Sequence, residues 1–202
     1  MNLVISKLIS SIVQIILFTL VPFIWWLITA KKKCSFANWI GFKKISEKGN
    51  KSILWIIGTS IASLLISVLL LYLLRNIETA TSDFDELGAS AIPAILIYAI
   101  FNTALPEEIL FRGFLLKRIA NRFGFVIGNT VQAVVFGMMH GMFFFSVVGI
   151  TKTVLIILFT GMIAWFMGYI NEKKAAGSLL PSWCIHAISN IFSGLCSAFA
   201  LF

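Results

Sequence analysis

Apolar residues run through this chain in long blocks, broken by a few short polar intervals. The blocks at 8–30, 52–74, 89–105, 125–148, 149–170 and 179–202 each approach or exceed the length of a helix that crosses a bilayer. A further segment, 106–123, is amphipathic, with Lys117, Arg118 and Arg122 late in it. The pattern predicts an all-α fold: a polytopic transmembrane helix bundle of about six spans plus one short amphipathic helix. Pro106 suits the first position of that helix, where the missing N–H goes unneeded, and Gly124 suits its C-cap. The longest polar interval, 31–51, is too short to fold alone. Residues 1–202 therefore read as a single integral-membrane domain.

Composition agrees with this reading. Hydrophobic residues make up 59% and charged residues 12%, against about 25% charged in soluble domains. The net charge of +8 is better read as topology than as a footprint for nucleic acid. Seven lysines fall within 31–51, and Lys-rich loops stay in the cytoplasm. The interval 76–88 holds Glu78, Asp83, Asp85 and Glu86 with no lysine or arginine, which suits an external loop and an external N-terminus. Phe36, Trp39, Ile40 and Phe42 interleave with the loop lysines, as in a stretch lying on the membrane surface, although a purely topogenic loop is the simpler reading. The cysteines, Cys34, Cys184 and Cys196, have neither disulfide nor metal spacing.

The candidate chemistry lies where charge interrupts the apolar blocks. Leu105 to Arg112 reads L-P-E-E-I-L-F-R. An ionisable residue at the bilayer centre costs about 2.5–3.5 kcal/mol on insertion scales, so three of them call for a use or an internal pairing. Glu108 and Arg112 stand at i,i+4 in the favourable acid-then-base order. Adjacent helical residues point about 100° apart, so pairing Glu108 leaves Glu107 aimed elsewhere, as a candidate general base. The bland reading of this stretch is an interfacial helix with one ion pair and one solvated glutamate.

Both histidines lie in apolar blocks. His140 follows Phe136 by one helical turn and is flanked by Gly137 and Gly141. His186 and Asn190 are i,i+4 and share a face, from which two hydrogen bonds could reach one developing oxyanion. Each histidine alone could be an ordinary interhelical hydrogen bond. Together with Glu107, the four residues suggest one site. Ser189 could face His186, but no carboxylate in that block would orient such a base. No G-x-S-x-G, H-E-x-x-H or Gly-rich phosphate loop is present.

Three ordered motifs carry a resemblance: E-E-x-x-x-R at Glu107, Glu108 and Arg112, F-x-x-x-H at Phe136 and His140, and H-x-x-x-N at His186 and Asn190. The chain resembles the CPBP family, the intramembrane CAAX proteases and bacteriocin-processing enzymes also called Abi, over a core of about 89–202. The resemblance implies an intramembrane endopeptidase in a bacterial plasma membrane. Its substrate would be a secreted-peptide precursor or a lipid-anchored protein. Glu107 and His140 would activate water, His186 and Asn190 would stabilise the oxyanion, and Glu108, Arg112 and Phe136 would support them. The family has been described both as metalloproteases and as glutamate proteases. Glu107, His140 and His186 could supply three zinc ligands with one position open; a metal-free mechanism is slightly favoured, because the His186–Asn190 face suits oxyanion donation. The competing reading is a non-catalytic immunity or peptide-binding protein. A small transporter with a Glu–His proton relay lacks the supporting repeats.

Overall fold

The computed structural model describes residues 2–45 and 50–201. Part of the lysine-rich loop, including Lys48, lies outside the described residues. We number the helices α1 (Leu3–Thr29), α2 (Phe36–Ile40), α3 (Asn50–Leu74), α4 (Gly88–Phe123), α5 (Phe125–Tyr169) and α6 (Leu180–Ala198). No strand occurs among the described residues. Among the described residues four helices (α1, α3, α4 and α5) are long and apolar enough to cross a membrane. Large apolar side chains stand exposed along α1, α3 and α5, as lipid-facing helices require, while α4 is the most enclosed: 33% of its apolar window is buried, against 11% for each of the others.

The sequence predicts a helix break at Pro106, and the structure corrects it. Residues 88–123 form one continuous helix whose turns widen twice to π geometry, over Tyr98–Ala104 and Ile109–Leu116. A proline inside an α-helix clashes with the carbonyl four residues back. Here the preceding Leu105 N–H reaches five residues back, to the Ile100 carbonyl, and the wide turn gives the ring room. Glu107 and Glu108 thus lie mid-helix rather than at a helix start. At 36 residues and about 1.5 Å per residue, α4 exceeds the roughly 30 Å apolar layer. Its charged residues after Arg112, namely Lys117, Arg118 and Arg122, all fall in its last two turns.

Helix α5 folds on itself. Gly149 has φ 74° and ψ 172°, which breaks the helix into arms 125–148 and 150–169. The arms run antiparallel. A Cβ on Gly137 would lie 2.4 Å from the Ile157 carbonyl oxygen, and one on Gly141 would lie 2.3 Å from an Ile157 side-chain carbon. Buried amides extend this contact: Asn129 Nδ2 donates to the Trp165 carbonyl and Gln132 Nε2 to the Ala164 carbonyl. Gly124 (φ 87°) makes the turn from α4 into α5.

Of the apolar residues in the lysine-rich loop, Trp39 and Ile40 turn inward while Phe42 stays exposed. Trp39 and Ile40 are buried with Ala30, Ile109 and Leu179, so α2 packs under one end of the bundle. At the opposite end Phe84 is fully buried against Ile95, Tyr98 and Ala198. Lys7 holds Asp83 at 2.7 Å, and Ser197 donates to the Thr81 carbonyl and meets the Asp85 carboxylate.

Candidate active site

The central helix α4 brings its charges between α5 and α6. Arg112 Nη1 donates to Glu108 Oε1 at 2.8 Å, and both side chains are fully buried. Arg112 also lies over the Phe136 ring, 4.3 Å from its centroid, and reaches Met167 Sδ at 3.8 Å. His186 Nδ1 meets the same Glu108 Oε1 at 3.0 Å. One carboxylate oxygen thus serves a guanidinium and an imidazole from two helices. Breaking a buried pair of this kind by removing one partner costs about 3–5 kcal/mol.

The other face of His186 points at the second glutamate. Its Nε2 lies 3.7 Å from Glu107 Oε2, an oxygen that finds no hydrogen-bond partner in the protein. Buried polar atoms nearly always have a partner, protein or water, so this oxygen marks a place for a water or a substrate group. With Nδ1 donating to Glu108, the neutral His186 ring presents a lone pair at Nε2. It presents an N–H there only when it carries a second proton.

His140 is fixed from its own helix. Its Nδ1 lies 2.9 Å from the Phe136 carbonyl. A carbonyl only accepts, so Nδ1 carries the proton and Nε2 keeps the lone pair. Phe136 packs beside both imidazoles, with centroids 4.3 Å from His140 and 5.9 Å from His186, and edge-on to Phe111 at 5.1 Å. Close approach of the α5 arms at Gly137 and Gly141 supports this turn from behind.

Asn190 is held by a residue that the sequence reading passed over. Its Nδ2 donates to Thr103 Oγ1 at 2.6 Å. The Thr103 hydroxyl spends its own hydrogen on the backbone carbonyls of Tyr98 and Ala99, so its oxygen must accept. That fixes the carboxamide orientation and leaves Asn190 a second N–H to offer. Thr103 lies in the first π segment, one turn before Glu107; a hydroxyl in an apolar block at that spacing was the available signal. Ser189, considered as a neighbour of His186, instead bonds Ser63 Oγ at 2.7 Å and ties α3 to α6.

Glu107, Phe136, His140, His186, Asn190 and Thr103 line a single cavity of about 580 Å³, and Glu108 and Arg112 lie buried beside it. The structure therefore brings together all the candidate residues that the sequence motifs named. Among the described residues no group of three or more His, Cys, Asp or Glu side chains is arranged to hold a metal ion. The three cysteines are unpaired as disulfides.

Comparison with known families adds one finding. The sequence model of a family described as type II CAAX prenyl endopeptidase Rce1-like matches residues 89–192. That stretch is slightly more than half the chain, and it contains every motif position named above. No curated protein and no solved structure matches the chain.

Proposed function

Because the chain belongs to the type II CAAX prenyl endopeptidase Rce1-like family, we propose that it is an intramembrane endopeptidase acting through the Glu107 cavity. The observation that carries this reading is the convergence of Glu107, His140, His186 and Asn190 on one cavity, beside a sealed Glu108–Arg112 pair. A water between Glu107 and His140 is activated by the Glu107 carboxylate, which takes its proton. The His140 Nε2 lone pair orients that water through its other hydrogen. Attack on the scissile carbonyl carbon gives a tetrahedral oxyanion. Two donors meet it: the second N–H of Asn190, and Nε2–H of a His186 that holds a proton on each nitrogen, stabilised by Glu108. One such donor is worth about 10²–10³ in rate. As the C–N bond breaks, the proton held by Glu107 passes to the departing amine. The products are an amine and a peptide carboxylic acid, which releases its remaining proton to water.

Each step uses the chain's own side chains. The partners are the bilayer and a peptide or lipid-anchored protein substrate. The test compares Glu107→Gln and His140→Ala with the native chain, reading peptide cleavage and protein abundance in membranes. Cleavage lost at normal abundance is expected. A biological effect retained in both variants would replace hydrolysis with the immunity or peptide-binding reading.

A further inference from the structure

The charged residues divide the molecule into two ends. At one end Lys31–Lys33 follow α1, and Ser178 bonds the Lys43 carbonyl. There also Lys117 pairs with Glu172, Arg118 lies over Trp39, and Lys173 over Phe125. The other end carries Glu78, Asp83, Asp85 and Glu86. Its cations are each engaged with the protein: Lys7 with Asp83, Lys152 with the Leu73 carbonyl, and Arg75 over Tyr72. A local excess of lysine and arginine marks the cytoplasmic side of a membrane protein.

The cavity is not symmetric about Glu107. From the cluster its wall runs along the 63–74 face of α3 and the 189–193 face of α6, out to the 78–81 loop on the acidic end. Residues 31–45, 108–123, 125–135 and 168–180, which build the lysine-rich end, contribute nothing to the lining. On that side the fully buried Glu108–Arg112 pair closes the floor.

Resting on the endopeptidase reading, we infer that the substrate reaches Glu107 from the end opposite the lysines. The peptide bond cut then belongs to an exported or membrane-inserted segment presented from the non-cytoplasmic side. It does not belong to a tail held in the cytoplasmic leaflet. The walls suit an extended apolar segment. Leu70, Leu71 and Phe144 supply apolar contact and Ser193 a hydroxyl, while Ser67 and Thr160, whose hydrogens go to the Ser63 and Ile156 carbonyls, keep oxygens that can accept from a peptide N–H. An unwound peptide in a membrane needs such partners, because no lipid tail can satisfy its N–H and C=O groups.

The test is sided thiol labelling of the full chain. Intact cells and inside-out membrane vesicles are treated with a permanently cationic methanethiosulfonate, and adducts are located by peptide mass spectrometry. Such a charged reagent does not readily cross the apolar layer, so Ser193→Cys is expected to react about tenfold or more faster in intact cells than in vesicles. Lys44→Cys, at the lysine-rich end, is expected to show the reverse. Faster reaction of Ser193→Cys in vesicles, equal reaction from both sides, or reaction from neither would overturn the inference. If Ser193→Cys fails to accumulate, Thr79→Cys at the rim carries the same comparison. Loss of cleavage in Glu107→Gln is read separately, so a wrong entrance and a wrong enzymatic reading give different results.

Discussion

At the scale of single residues, the site depends on two neighbouring glutamates with different surroundings. Glu107 faces the cavity, whereas Glu108 is buried under Arg112 and His186. Glu108→Gln removes the charge that balances a buried guanidinium, a loss of about 3–5 kcal/mol. Its membrane abundance should therefore fall, and thermal melting in detergent should come earlier, where Glu107→Gln melts as the native chain does. Thr103 gives a finer test. Thr103→Val keeps the shape but removes the acceptor that orients Asn190. A lost hydrogen bond of roughly 1 kcal/mol translates to about fivefold in kcat. We expect that drop with KM unchanged, and Thr103→Ser should restore the rate. The acid, imidazole and amide positions were legible in the sequence because charge is conspicuous among apolar residues. Thr103 was not, since a lone hydroxyl in a membrane helix usually bonds its own backbone, and only the fold shows that it also accepts from Asn190.

At the scale of elements, the sequence read the bundle well and the interior of α4 poorly. The apolar blocks, the turn at Gly124 and the Glu108–Arg112 spacing follow from period and composition. The continuity of α4 does not, because Pro106 carries a strong local signal for a helix start. The wide turn ending at Ala104 overrides that signal. Wide turns of this type gather at functional sites, yet no residue pattern here announces them. The α5 hairpin is the element most exposed to substitution. Gly137→Ala would set a methyl group 2.4 Å from the Ile157 carbonyl oxygen. The arms would have to separate, at about 1–3 kcal/mol or more. The expected outcome is a lower melting temperature together with weakened catalysis, since His140 lies on the displaced turn.

At the scale of the whole molecule, α1 and the 75–87 loop are joined across the acidic end by Lys7, which pairs with Asp83 and lies 5.2 Å and 5.1 Å from the Phe84 and Tyr98 ring centroids. Asp83 is 65% exposed, so the pair contributes under about 1 kcal/mol. The rim of the cavity, however, depends on where this loop rests. Lys7→Gln should leave melting nearly unchanged and raise KM for peptide cleavage; a substantial drop in melting temperature with KM unchanged would contradict this. The wide turns of α4 have a last implication, for comparing such chains. A relative lacking one residue between Tyr98 and Ala104 would still form a bilayer-length apolar helix, with nearly the same hydropathy profile. Everything after the gap would be rotated by about 100°, and its acid would look toward α1 or the lipid. For this architecture, a one-residue gap in an alignment carries more functional weight than most substitutions beside it.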